Sequence, residues 1–153
     1  SSQFLLASDS GYGFVATLED LLTRNKSGKA ALTVRAGGVL PPQRIFEYED
    51  DWVAAITDTG RLLIFALAEL PQLNRGKGVK LINIPAARHK AGDEKLQSVA
   101  VFREGDSLRL FAGKQHMRLK PKDIDTFVGS RAQRGRALPR GYKRATAVET
   151  ILA

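Results

Sequence analysis

A tandem similarity of about fifty residues constrains this chain more than any other feature. Residues 4–21 end an apolar run in Ser8-Asp9-Ser10-Gly11, and residues 52–70 end theirs in Thr57-Asp58-Thr59-Gly60. The two segments superpose without a gap. Asp9 falls on Asp58, Gly11 on Gly60, Leu18 on Leu67 and Leu21 on Leu70, at a constant offset of 49. A weaker third copy runs from Leu108 to Ile124, with Gly113 in the place of Gly60 at an offset of 53. Self-similarity at this period signals a blade or solenoid architecture.

Each unit reads as short strands. Residues 4–7 and 52–56 are apolar runs too short for a globular helix, which suggests strands buried on both faces. The Asp-x-Gly turns predict hairpins, the aspartate bonding its own backbone and the glycine supplying positive φ. Return strands are expected at 12–16, 61–66 and 115–120; in the last, Met117 and Leu119 alternate with His116, Arg118 and Lys120. An acidic-apolar piece follows each (Leu18-Glu-Asp-Leu21, Leu67-Ala-Glu-Leu70, Lys122-Asp-Ile-Asp125) and suits a single helical or 3₁₀ turn. A third strand is expected at 30–34 or 79–84, and a fourth at 44–48 or 96–102. Four short strands per unit is the pattern of a propeller blade. The expected fold is therefore all-β, about three four-stranded blades in an incomplete wheel, with units near 1–50, 51–105 and 106–153. An ordinary β-sandwich with a chance similarity is the alternative, and the gap-free match weighs against it.

Composition narrows the function. The 153 residues are 43% hydrophobic and 26% charged, a globular balance. With no cysteine, disulfide scaffolds, thiolate metal sites and cysteine catalysis are excluded, and a reducing compartment fits. The longest apolar run, 62–68, is far short of the ~20 residues of a membrane span. Residue 1 is a serine without a signal-type segment behind it, so the chain reads as a piece of something larger. The net charge of +8 is concentrated in residues 114–144, where ten Lys and Arg face only Asp123 and Asp125. Such a field attracts a polyanion. Nucleic acid is the commonest, an anionic membrane surface or an acidic protein the others, and a merely solvated basic face the plainest reading.

A cation- and glycine-rich loop follows each acidic-apolar piece: Arg24-Asn-Lys26-Ser-Gly28-Lys29, Arg75-Gly76-Lys77-Gly78, and Arg131-Ala-Gln-Arg134-Gly135-Arg136. Glycine lets a backbone approach a phosphate, and flanking cations supply charge. One such loop is commonly a solvated turn; three in register suggest a track. The candidate contacts to such a polyanion are Arg24, Lys26, Lys29, Arg75, Lys77, Lys80, Lys114, Arg131, Arg134, Arg136, Arg140, Lys143 and Arg144.

Gly11-Tyr-Gly-Phe14, Asn25-Lys-Ser-Gly-Lys-Ala30, and Arg75-Gly-Lys-Gly78 followed by Leu81-Ile-Asn-Ile-Pro85 give the chain a family likeness. It resembles the C-terminal domain of the A subunits of bacterial type IIA topoisomerases, the topoisomerase IV type more than gyrase. The resemblance covers essentially the whole chain. It implies a β-pinwheel, a propeller-like wheel of five or more blades that exchange strands and hold and bend duplex DNA around a basic rim. The gyrase-type box, Gln-Arg-Arg-Gly-Gly-Lys-Gly, here reads Gln72, Leu73, Asn74, Arg75, Gly76, Lys77, Gly78. Charge is lost at its second and third positions and Arg75 replaces a glycine, which argues against full wrapping and for decatenation and relaxation. The resemblance further implies a parent enzyme of two A and two B subunits, with ParE, the B subunit, hydrolysing ATP with Mg²⁺. It implies a cytoplasmic, nucleoid-associated setting, and allows condensin docking and peripheral association with the inner membrane.

Catalysis is not expected of this chain. The family nucleophile is a tyrosine preceded by arginine, whereas Tyr12, Tyr48 and Tyr142 follow Gly11, Glu47 and Gly141. Tyr142 could touch DNA or simply anchor its loop. His89 and His116 lack metal-ligand spacing, and Glu47-Tyr-Glu-Asp-Asp51 reads as a solvated turn rather than a Mg²⁺ site. No metal and no cofactor is expected here. Two rivals remain: a propeller that docks an acidic protein, and an RNA-binding β domain. The second would need exposed aromatic rows, which 7% aromatics placed in strand runs do not supply.

Overall fold

The computed structural model describes residues 2–26 and 38–153, and of residues 23–26 the backbone alone. The expected strand at 30–34 and the Gly28-Lys29 loop lie outside the described residues. Strands β1 (Gln3–Ala7) and β2 (Tyr12–Thr17) form a first hairpin, β4 (Trp52–Thr57) and β5 (Arg61–Ala66) a second, β8 (Ser107–Ala112) and β9 (Gln115–Leu119) a third. Shorter or later strands complete the sheets: β3 (Gln43–Arg44), β6 (Val79–Lys80), β7 (Leu96–Phe102), β10 (Arg136–Ala137) and β11 (Ala147–Ile151). The sheet orders are β3-β1-β2-β6, β10-β5-β4-β7 and β11-β8-β9, all antiparallel.

The strand expected at 79–84, as an addition to the second hairpin, is corrected in both length and place. It is only Val79–Lys80, and it pairs with Tyr12 and Gly13 of the first sheet. β10 likewise reaches back to Leu62 and Arg61 of the second sheet. Each of these two hairpins is thus completed by a strand that follows the next hairpin in the chain. Among the described residues the third sheet has three strands rather than four, and nothing there pairs with the outer side of β9.

The continuous apolar runs are explained by burial on both faces of the second sheet. Val53, Ala55, Leu63 and Phe65 pack toward the first sheet with Leu5, Val15 and Leu81, while Ala54, Ile56, Leu62 and Ile64 pack toward the third with Leu108, Leu110 and Val148. Because successive side chains alternate faces, a strand between two cores has no polar side to show. The third hairpin lies at one side of these cores. Met117 and Leu119 turn inward there and His116, Arg118 and Lys120 outward, as their alternation predicts.

The turns keep their glycines, with φ of 94° at Gly11 and 80° at Gly60. Their aspartates have another task than the expected one. Asp9 accepts from the Gly38 amide (2.8 Å) and returns its own amide to the Gly38 carbonyl (2.9 Å); Asp58 does the same with Lys95 (2.9 and 3.1 Å). Each pins the incoming later segment, while the turn itself is closed by Ser8 and Thr57.

The acidic-apolar pieces also differ from one another. The first opens α1 (Leu18–Lys26), nine residues long, whose Asp20 amide is capped by Thr17 Oγ1. The second is a 3₁₀ turn, Leu67–Glu69. The third is a short helix, Pro121–Ile124, that runs into Asp125–Phe127. A further helix, α2 (Ala86–Lys90), has no counterpart in the sequence pattern. The strand expected at 44–48 is confined to Gln43–Arg44. Asp51, expected in a solvated turn, is instead buried and accepts from the Phe46 amide at 2.7 Å. Away from the exchanged strands, β7 and β11 touch through Thr150 Oγ1 and the Val101 carbonyl (2.8 Å), and β3, β7 and β11 line a common open cavity.

Candidate nucleic-acid interface

Two of the three cationic loops lie in the described residues, and the fold holds them in the same way. The chain leaving Leu67–Glu69 runs beside β2, with Val15 donating to Pro71 (3.0 Å) and Leu73 donating back to Val15 (2.9 Å). Residues 74–78 then arch outward before β6 rejoins β2, and Leu81 donates to Gly11 (2.7 Å). In the second sheet Gly129 donates to Ile64 (2.8 Å), residues 130–135 arch outward, β10 rejoins β5 and Leu138 donates to Gly60 (2.8 Å). Each loop is therefore tethered at both ends to the outer hairpin strand. Gly78 is essential to this approach, since a Cβ there would collide with the Gly13 backbone.

The candidate cations fall into two groups. Arg75, Lys77, Lys80, Arg131, Arg134 and Arg136 are on the tethered crossovers. Arg75 and Arg136 are exposed, and Lys77 holds its Nζ 4.5 Å from the centre of the Tyr12 ring. Lys80 is half-buried, donating to Asn83 Oδ1 at 3.1 Å. Arg131 donates to the Lys80 carbonyl (2.7 Å) and Arg134 to the Asn83 carbonyl (3.1 Å). The second group, Lys114, Arg140, Lys143 and Arg144, is exposed at the hairpin-turn end. Its segment packs across two turns: the Tyr142–Lys143 backbone lies against Gly60, and Gly141 against Gln115. Tyr142 is 8% exposed within the core, so it anchors the segment. Arg24 and Lys26 lie in α1, their side chains outside the described atoms, as is Lys29 altogether.

Sequence reasoning misses the charged groups beneath these loops. The Glu94 carboxylate is fully buried and receives Thr59 Oγ1 (2.6 Å), Arg134 (2.6 Å) and Arg88 (3.2 Å). Burial opposes its ionisation, but the hydrogen bonds from Thr59 and Arg134, the Arg134 charge and the Arg88 bond outweigh burial and hold it below the usual glutamate value. His89 of α2 meets Asp9 at 2.8 Å, and Arg61 donates to the carbonyls of Arg134 (3.3 Å) and Gly135 (2.8 Å). Apart from Arg88–Glu94, six residues apart, these are contacts between distant segments, with no local motif to announce them. Among the described residues no cluster of His, Cys, Asp or Glu is placed to hold a metal, and no helix is long and apolar enough to cross a membrane.

The fold has a counterpart in known proteins. The family described as DNA gyrase C-terminal domain, beta-propeller, matches residues 2–40 and 51–103. The chain belongs to this family. It is 46% identical over 142 residues to the A subunit of DNA topoisomerase 4 from Pseudomonas aeruginosa, and 40% identical over 147 to its Escherichia coli counterpart, covering 92% and 96% of itself. It spans about 19% of the length of either relative. Among solved structures, the E. coli ParC C-terminal domain superposes with a TM-score of 0.89 at 39% identity, over 100% of this chain and 62% of that one. A DNA gyrase A C-terminal domain shares the fold, with a TM-score of 0.70 at 17% identity over 99% and 49%. Like these members of the family, the chain is a β-pinwheel.

Proposed function

We propose that this chain is the duplex-DNA-holding part of a topoisomerase IV A subunit. Its outer loops would form a track that holds and bends DNA for decatenation and relaxation by the intact enzyme. One observation carries the reading: two cationic loops are tethered alike, at both ends, on the outer hairpin strands of neighbouring sheets. Repeated fixed cations suit a repeating polyanion, whose phosphates position a protein without specifying sequence. The catalytic tyrosine, the ATP- and Mg²⁺-using chemistry and the B subunit would belong to the rest of the parent enzyme. The Arg75→Gln/Lys77→Gln double variant tests the track. It should bind duplexes of unrelated sequence more weakly to a similar degree, while melting within a few degrees of the parent, because exposed loop cations contribute little stability. Unchanged binding by folded protein would move the track to another face.

A second reading has its own observation. Lys114, Arg140, Lys143 and Arg144 are exposed together at the turn end, without an ion pair among the described residues. That cluster suits an acidic protein partner. The Arg140→Gln/Arg144→Gln double variant would weaken such docking while sparing the outer loops.

A further inference from the structure

The two tethered loops look interchangeable in sequence, Arg75-Gly76-Lys77 against Arg134-Gly135-Arg136. Their first arginines are not in the same situation. Arg75 is exposed and makes no ion pair among the described residues. Arg134 is held by the protein through two guanidinium nitrogens, one on the buried Glu94 carboxylate (2.6 Å) and one on the Asn83 carbonyl (3.1 Å). The loop around it is stitched on every side. Ala132 donates to Leu81 (2.8 Å), Asn83 donates to Gln133 (2.9 Å), Arg131 reaches the Lys80 carbonyl and its amide reaches Glu69 Oε1 (3.1 Å), and Arg61 holds the carbonyls of residues 134 and 135. The crossover of one sheet thereby lies directly on the crossover of the sheet before it.

We propose that Arg134 is a positioning residue and not a phosphate ligand. With Glu94 it fixes residues 130–135 so that Arg136, the next cation and an exposed one, faces the DNA; this rests on the DNA-holding reading above. An arginine committed to a buried carboxylate has little to offer a phosphate, since taking its shortest ion pair from the buried Glu94, which would keep only Thr59 and the longer Arg88 contact, costs more than a solvated contact returns. A charge held ready in the bound geometry spares the ordering cost on binding.

The two roles predict opposite signs for Glu94→Gln. If Arg134 were a phosphate ligand restrained by Glu94, neutralising the carboxylate would free it and add positive charge, so DNA would bind more tightly. If Arg134 positions the loop, Glu94→Gln should bind about threefold to tenfold more weakly despite the added charge. Arg134→Lys, which keeps the charge and loses the planar fork, should behave likewise. On an Arg136→Gln background Glu94→Gln should cost nothing further, because the cation it orients is gone. The measurement is duplex affinity across a salt series, with folding followed by melting. Tighter binding by Glu94→Gln, or additive losses with Arg136→Gln, would overturn the proposal. A parent chain that does not bind duplex at all would instead remove the DNA reading. In that case amide exchange still decides the positioning role: in Glu94→Gln the Ala132 amide should exchange faster while β4 is unchanged, and an unchanged Ala132 would overturn it.

Discussion

Gly60 shows how tightly single residues are specified. Its φ of 80° is unsuited to a β-branched side chain, and a Cβ there would stand 2.5 Å from the Tyr142 carbonyl oxygen and 2.7 Å from the Lys143 Cα. Gly60→Val should therefore cost at least about 1–3 kcal/mol from the backbone alone, seen as a lower Tm, with DNA affinity falling only as folded protein is lost. An unchanged Tm would refute the turn. Glu94 gives a pH signature. Its folded carboxyl titrates below its ordinary value, so the stability it contributes is full above that value and lost as pH falls through the depressed one. The melting gap between the parent and Glu94→Gln should be widest near neutrality and close in acid; a gap constant with pH would contradict the pairing. Asp51 works in the opposite sense. Burial raises its carboxyl despite the backbone hydrogen bonds that lower it, so acid relieves a cost there. Neither carboxylate is legible as a buried group in the sequence. Glu94 sits in a polar stretch after α2, and beyond its near neighbour Arg88 its partners come from residues 59 and 134, which only chain folding brings to it.

At the scale of elements, what the sequence announces is local. The hairpins β1–β2 and β4–β5 follow from short apolar runs around Asp-x-Gly, and β7 from the run 96–102. The exchanged strands are two residues each, Val79–Lys80 and Arg136–Ala137, and their partners lie a whole hairpin earlier. A pattern of period two cannot say which sheet a strand joins, so a reading by proximity along the chain places the pairing one sheet too late. The loops flanking these strands are legible as chemistry, because Arg-Gly-basic recurs; which of their cations are free is not. Element burial also sets local stability. β9 has exposed His116 and Arg118 and, among the described residues, no partner on its outer side. Charged side chains on such an edge discourage pairing with other chains. Its outward amides should exchange orders of magnitude faster than those of β4, which is paired on both sides. Equal protection in β9 and β4 would mean that the edge is covered in solution.

For the whole molecule, charge and architecture combine. The excess of +8 lies within residues 114–144, which supply both the second outer loop and the turn-end cluster. If DNA is held through phosphates, log K should fall linearly with log salt, by about 0.9 for each phosphate neutralised. Arg75→Gln and Arg136→Gln should each flatten that slope by about one such step. Affinity that is unchanged between low and physiological salt would defeat the electrostatic account. The exchange of strands has a bearing on synthesis as well. Thr17 ends β2, but its outer neighbour begins only at Val79, and Ala66 ends β5 long before Arg136. A ribosome therefore releases each of these sheets unfinished and closes it only after making the next hairpin. Such distant pairings slow folding, and they run it backward along the chain: a premature stop after Ala66 would leave the second sheet unsealed, though every residue of its hairpin had been made.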